Sequence, residues 1–275
     1  VTQHPREPFT LLMAVWGNDE PSAVRAALHS ATSAQTLPPD HVVLSCDGDL
    51  PPALAAIADG VERGEYGPAT VLRRSDHRGL AETLQEGLLA CPTSLVARAD
   101  ADDLNHADRF EKQIPALLRR NLDILGAGMR ELGSGRTRNR PTSQEEIERY
   151  LKDHSPFQHP TVVFRKEAVL AAGGYQSLPF MEDYDLWYRM LRAGARAGNL
   201  AEALVDYRVG PELYDRRGGL ELFRSDIRMQ RRMVADGVTS WPRALRNLCI
   251  RGAYRTVPGP LRRLMYRLLV EKIGV

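Results

Sequence analysis

The chain has 275 residues, 43% hydrophobic and 26% charged, with a formal net charge of +2; that is ordinary globular composition with material for a substantial core, and it excludes a disordered chain. Three widely spaced cysteines, Cys46, Cys91 and Cys249, with no Cys-x-x-Cys pair, exclude a disulfide framework and a zinc cluster and fit a reducing compartment. No apolar run reaches the roughly 18 residues of a membrane span, and the opening Val-Thr-Gln-His-Pro-Arg-Glu-Pro lacks signal-peptide layout, so a cytoplasmic location with at most peripheral membrane contact is expected.

Short β-branched runs alternate with amphipathic helical stretches through the first half, the rhythm of parallel strands covered by helices. The pattern predicts strands over 9–15, 41–46, 69–73 and 94–99, with helices over 21–34, 52–63 and 79–90 between them. Right-handed crossovers bring the ends of these strands, after Val15, Cys46, Arg74 and Ala99, to one edge, where open α/β sheets bind ligands. A helix over 108–120 and a strand over 123–129 follow, then a polar loop over 133–141, a strand over 161–165 and a helix over 167–172 stopped by Gly173-Gly174. A helix over 183–193 and an apolar run over 203–207 come next, and three helices are predicted at the end, over 220–235, 242–254 and 260–273.

Several of these junctions carry chemistry. The run over 94–99 ends in Asp100-Ala-Asp-Asp103, hard oxygen ligands suited to a divalent cation carrying a phosphate. The same acids also suit a turn, with Asp103 or Asn105 capping a helix that begins near His106. Asp47-Gly48 reads either as a turn or as a carboxylate that accepts hydrogen bonds from a nucleobase or ribose. Arg78 and Gly79 open a helix, so a cation and backbone N–H groups face the same edge, beside Arg73, Arg74 and His77. His159, before Pro160, is read as a hydrogen-bonded loop residue or as a further metal ligand. Glu182 and Asp183 open a helix whose Leu186, Trp187, Met190 and Leu191 form one apolar stripe; a rigidly mounted carboxylate there suits removal of a proton from a hydroxyl. Arg208 ends the apolar run over 203–207 and is read as a diphosphate contact or a plain surface arginine.

Leu12-Met-Ala-Val-Trp16, Ser45-Cys-Asp-Gly48, Arg78-Gly-Leu-Ala81 with Gly87, Arg98-Ala-Asp-Ala-Asp-Asp103, Asp108-Arg109 with Lys112-Gln113, His159-Pro160, Gly173-Gly-Tyr175 and Glu182-Asp-Tyr-Asp-Leu-Trp187 occur in one order. In that order, over residues 9–210, the chain resembles a bacterial family 2 glycosyltransferase of GT-A fold. The resemblance implies an α/β fold with a Rossmann-like, mostly parallel sheet flanked by helices. It implies a domain over 1–215, with its nucleotide-sugar half over 1–120 and its acceptor half over 121–215, and a basic helical extension over 216–275. It also implies metal-dependent, inverting transfer of a sugar from a nucleotide-diphosphate sugar, a UDP-sugar in the first instance, to a glycan or lipid-linked hydroxyl in surface polysaccharide or glycoconjugate synthesis.

Residue by residue, the resemblance places Asp47 at the base, with the backbone of Ala14 and Val15 beside it. Asp100 and Asp102 match the DxD motif, with Asp102 on Mn²⁺ or Mg²⁺ and Asp100 nearer the ribose. Asp183 matches the general base, and Glu182 positions it or meets the acceptor. Where many members carry Asp-Asp-Gly, this chain has Cys46-Asp47-Gly48, so one carboxylate is missing.

Competing readings are weaker. An EF-hand over 100–111 fails because Leu104 and Asn105 occupy its fifth and sixth positions. A sugar-phosphate nucleotidyltransferase would need a glycine-rich phosphate loop near the N-terminus, and a non-catalytic glycan-assembly subunit does not need Asp100, Asp102 and Asp183 together. Residues 243–275 hold eight Lys or Arg and one acid, Glu271. Within 257–273, Leu261, Leu264, Met265, Leu268 and Leu269 alternate with Arg262, Arg263, Arg267 and Lys272, which suits an anionic membrane surface or packing on the body or a dimer partner. Nucleic acid is not expected, because no aromatic platforms interleave the basic residues.

Overall fold

In β1 (Phe9–Trp16) and β2 (His41–Asp47) nearly every side chain is buried, the signature of parallel strands covered on both faces. The structure, a computed structural model, describes residues 7–208 and 219–256; the helix expected over 260–273 lies outside them. The chain divides into two compact units, the first Val1–Ser177 with Leu186–Arg208, the second Leu178–Asp185 with Val209–Val275.

The first unit holds the sheet. β1 and β2 are joined by β3 (Ala69–Arg73), β4 (Leu95–Ala99), β5 (Leu104–Asn105), β6 (Ile124–Glu131), β7 (Thr137–Arg138), β8 (Val163–Arg165) and β9 (Ala197–Tyr207). Their spatial order is β3-β2-β1-β4-β8-β6-β9-β5, with β7 on β6. The strands β3, β2, β1 and β4 are parallel, and β6 runs parallel to β9. β8 is antiparallel to both β4 and β6, and β5 is antiparallel to β9, so the far half is mixed. Register pairs Trp16 with Asp47, Cys46 with Arg73 and Met13 with Ala99, which brings the four carboxyl ends to one edge as the alternating pattern predicts.

Helices cover the sheet on both sides. Leu11, Met13 and Leu44 meet Val24 and Leu28 of α1 (Pro21–Ala31), Ile57 of α2 (Pro52–Glu62) and Phe110 and Ile114 of α4 (Arg109–Arg119). Leu12, Val43 and Val96 face the other way, toward Leu84 and Leu88 of α3 (Leu80–Ala90), Val169 of α6 (Lys166–Ala171) and Leu186 and Trp187 of α7 (Glu182–Arg192). Gly87 lets α3 approach closely: a Cβ there would fall 2.5 Å from Leu12 Cδ1 and closer still to Ser45 Oγ.

Three local details differ from the pattern. Helix α4 begins at Arg109 with Asp108 as N-cap, so neither Asp103 nor Asn105 caps it. Asn105 lies in β5, where its backbone N–H donates to Ser30 Oγ at 3.0 Å. A further helix, α5 (Gln144–Leu151), stands where the pattern predicts no element, and it opens on a reciprocal capping box between Ser143 and Glu146.

In the second unit, α8 (Leu220–Ala235) and α9 (Trp241–Thr256) form an antiparallel hairpin. Asp226, fully buried on α8, takes ion pairs from Arg251 at 2.7 Å and from Arg255. Burial raises its carboxyl above the ordinary range against the pull of both arginines. Among the described residues no helix is long and apolar enough to cross a membrane.

Candidate active site

The end of β4 carries the acids. Ligand oxygens of Asp100, Asp102 and Asp103 lie within 4.8 Å of one another. Asp102 is exposed, Asp100 half-buried and Asp103 buried. Each is held by the chain: Arg98, 1% exposed, forms an ion pair with Asp100, and the Arg208 backbone N–H donates to the Asp103 carboxylate. Arg208 Nε also donates to the Asp102 carbonyl at 3.1 Å. Burial, reinforced by the charges of Asp100 and Asp102, pushes the Asp103 carboxyl up to about 8.

Asp19 is a fourth acid in this field. Its Oδ2 accepts the Trp16 backbone N–H at 2.9 Å, and burial, then the charges of Asp102 and Asp100, push its carboxyl up to about 6. Burial is the first cause of both shifts and the neighbouring carboxylates the next repulsive one, so a divalent cation bound among these acids would favour their ionised forms. The donor set is all oxygen and suits Mn²⁺ or Mg²⁺.

Beside the acids, Asp47 ends β2 and is buried. Its carboxylate accepts the backbone N–H groups of Arg78 at 2.8 Å and Gly79 at 3.0 Å, and pairs with His77 Nδ1 at 2.9 Å. The His77 ring in turn lies 5.4 Å from the Trp16 ring at 31°. Asp47, His77, Trp16, Asp19 and the acidic cluster therefore form a contiguous series along the sheet edge, with Ala14 and Val15 just upstream in β1. The Asp-Gly turn and the ligand reading of Asp47 meet in one residue, because Gly48 has φ +82° and lies against His77. Arg78 offers its guanidinium to Asp76 at 2.5 Å, while Arg73 and Arg74 pair with Asp59 and Glu86.

His159 is placed apart from the acids. Its Nε2 shares a 3.0 Å hydrogen bond with Tyr175 Oη, and its ring meets Trp187 edge-on at 5.8 Å. The residue keeps some accessible surface, but its imidazole is enclosed, and burial followed by the Arg98 charge lowers its pKa well below the ordinary value. The group of acids with metal-ligand spacing does not include it. Arg109 and Gln113 are also structural: fully buried Arg109 donates to the Arg98 carbonyl at 2.9 Å, and Gln113 donates to the Thr161 carbonyl at 2.9 Å. Burial and neighbouring Arg98 bring the Arg109 guanidinium down to about 9.

Glu182, Asp183 and Asp185 fill the first turn of α7, in the second unit. Asp185 is buried and pairs with Arg232 at 2.6 Å, whereas Glu182 and Asp183 are half-buried. Phe180, just before them, has φ +63°, an uncommon conformation for a bulky residue and a local strain beside the two acids.

Residues 17–173 match Glycosyl transferase family 2. The chain belongs to this family. Among its relatives, the amylovoran biosynthesis glycosyltransferase AmsE of Erwinia amylovora is 31% identical over 262 residues, covering 94% of this chain and 97% of that protein. The UDP-Gal:alpha-D-GlcNAc-diphosphoundecaprenol beta-1,3-galactosyltransferase of Escherichia coli is 30% identical over 269 residues, covering 96% and 97%. Among solved structures, the mannosyltransferase PcManGT from Pyrobaculum calidifontis, in complex with GDP-Man and Mn²⁺, aligns with a TM-score of 0.64 at 15% identity over 98% of this chain and 82% of that one. S. aureus TarS aligns with a TM-score of 0.63 at 15% identity over 82% of this chain, which spans 40% of TarS. The family 2 chain is thus a glycosyl-transfer enzyme of GT-A fold with relatives in glycan biosynthesis.

In this family 2 enzyme Asp19 joins the acids without any motif in the sequence to mark it, whereas Trp16 and His77 lie at the strand ends that the alternating pattern predicts. Asp19 sits in the turn after β1, next to Glu20, the N-cap of α1, and only the parallel register brings it to the end of β4.

Proposed function

We propose that the protein transfers a sugar from a nucleotide-diphosphate sugar, with a UDP-sugar as the first donor to test, to a hydroxyl of a glycan or lipid-linked acceptor, with inversion. The acidic cluster at the end of β4 carries the reading: three aspartate oxygens within 4.8 Å of one another, with the Asp103 carboxyl forced up to about 8. A bound Mn²⁺ or Mg²⁺ would neutralise the negative charge that develops on the departing nucleoside diphosphate. Exposed Asp102 is the direct ligand in this reading. Asp100, partly neutralised by Arg98, faces the ribose, and Arg208 meets the diphosphate.

Asp47 holds the 77–79 loop against the base, and its remaining acceptor capacity reaches the base itself, with the backbone of Ala14 and Val15 alongside. Asp183 takes the acceptor proton as the hydroxyl attacks the anomeric carbon opposite the leaving group, and Glu182 orients the acceptor. His159 serves the site by fixing Tyr175 and Trp187 rather than by binding metal. The complexes of TarS with UDP-GlcNAc and of PcManGT with GDP-Man and Mn²⁺ support the donor class, and the diphosphoundecaprenol in the name of the E. coli relative supports the acceptor class.

A thermal-shift panel of nucleotide sugars tests the proposal. A UDP-sugar is expected to raise the midpoint only with Mn²⁺ present, and turnover is expected to release nucleoside diphosphate with an inverted anomeric signal in the product NMR spectrum. Release of pyrophosphate, or a product of retained configuration, would overturn it.

A further inference from the structure

The α8–α9 hairpin presents two surfaces that its own fold does not use. Around α8, Arg224, Arg228 and Arg231 recur at i, i+4 and i+7 on the exposed side, and none forms an ion pair among the described residues. Arg232, Arg251 and Arg255, by contrast, are taken up by Asp185 and Asp226. Around α9, Trp241, Leu245 and Cys249 recur at i, i+4 and i+8 and are exposed, the first two at 62% each, with exposed Pro242 and Ala253 alongside. Helix α9 contains no acidic residue.

The two surfaces join. The Phe223 ring lies on Gly252 of α9, where a Cβ would come within 3.0 Å of Phe223 Cε2. At 100° per residue, Leu220, Phe223 and Ile227 lie between the side of α8 that meets α9 through Asp226 and Gln230 and the side that carries the arginines. Leu220 is 65% exposed, so apolar surface extends from the Phe223–Gly252 contact to the foot of the arginine row, and at 100° per residue Gly252 falls on the side of α9 that carries Trp241 and Leu245.

We propose that this hairpin docks on an anionic lipid bilayer, with the α9 face entering the headgroup boundary and the α8 arginines against lipid phosphates. Exposed apolar surface beside a row of arginines marks an interaction site; Glu221, exposed in the first turn of α8, is the one acid beside that row against three arginines, and a tryptophan near arginines suits the boundary between water and acyl chains. Charge decides the occupant. A second copy of the chain would bring a second row of the same arginines, and residues 257–275 carry four basic residues against one acid, so both would add positive charge to positive. An anionic bilayer adds the opposite sign.

The inference rests on exposed surface rather than on the proposed donor and acceptor, and its readout is binding, so its failure and theirs are distinguishable. The test is flotation of the full chain with phosphatidylcholine vesicles, with and without phosphatidylglycerol. The chain is expected to float only with the anionic vesicles and to be released by raised salt. The variants W241E/L245E and R224E/R228E/R231E are each expected to lower the partition coefficient by at least about tenfold, since each arginine near an anionic surface is worth several-fold. Their circular dichroism and metal-nucleotide binding are expected to match the parent protein. A blue shift of tryptophan emission on vesicle addition, lost in W241F, gives a reading without charge reversal. Equal flotation on neutral vesicles, absence of flotation, or unaltered binding by both multiple variants would overturn the proposal. So would a dimer in sedimentation equilibrium that W241E/L245E converts to monomer, which assigns the face to a second copy.

Discussion

Metal binding to this protein is expected to be strongly pH-dependent, and the size of the effect follows from two carboxyls. Asp103 is held up to about 8 and Asp19 up to about 6, both by burial first and by the Asp100 and Asp102 charges second. A cation beside the cluster binds the deprotonated form, so the protons must leave as the ion enters. Between pH 8 and pH 6 the fraction of ionised Asp103 falls about 50-fold, and Asp19 adds another factor of about two, so the apparent affinity for Mn²⁺ is expected to weaken about 100-fold, or about 2.7 kcal/mol. At pH 7 the same values require about one proton released per ion bound. Isothermal titration calorimetry in two buffers of different ionisation enthalpy measures that number directly. D103N, which keeps the shape and removes the titration, should flatten the dependence to about twofold.

The sign extends to stability. A carboxyl whose pKa is raised by folding binds its proton more tightly in the native state. The metal-free protein should therefore lose thermal stability as the pH rises from 5 toward 8, and Mn²⁺ should restore it. Proton release near zero at pH 7, or one apparent affinity from pH 6 to pH 8, would refute the placement of the ion beside Asp103.

Asp183→Asn should lower transfer by about 10²–10⁴-fold while leaving the metal-dependent thermal shift with the donor unchanged; full turnover under saturation removes the proposed base. Asp47→Ala removes the acceptor for two backbone N–H groups and His77, and should cost about 2–4 kcal/mol in urea denaturation, with part recovered in Asp47→Asn. An Asp47→Ala protein as stable as its parent would mean that the 77–79 loop is held elsewhere. Gly87→Ala puts a methyl against Leu12 and Ser45 and should cost about 1–3 kcal/mol, read as a lower midpoint without change in the slope.

Most of the first four strands was legible because β1 and β2 are buried on both faces, so Leu11-Leu12-Met13 and Val42-Val43-Leu44 announce themselves as continuous apolar runs between helical stretches. The far half was less so. Helix α5 buries only Ile147 and Leu151, too little periodic signal to stand out from a polar stretch, although its Ser143-Glu146 capping box was present in the sequence. β5 is two residues long and exists only because Leu104 and Asn105 pair with Asp206 and Val205 of β9. In the site, the local motif Asp100-Ala-Asp-Asp103 was visible, but its supports were not. Arg98 is one strand residue removed from Asp100, yet its complete burial depends on packing from elements far along the chain.

Those supports explain why three neighbouring acids are not interchangeable. Arg98 compensates Asp100 from below, and Arg208 ties both Asp103, through its backbone N–H, and the Asp102 carbonyl, through its guanidinium. Exposed Asp102 is therefore presented on a loop whose backbone is pinned on either side, while buried Asp103 carries the electrostatic strain of the cluster. Arg98→Met should therefore disturb the site without removing a proposed ligand: Asp100 would lose its compensating charge, the repulsion felt by Asp103 would grow, and proton release on metal binding should shift to higher pH. Arg98→Lys keeps the charge and should restore the parent profile in part. Equal profiles for Arg98→Met and the parent protein would show that Asp100 is compensated by something other than the arginine beneath it.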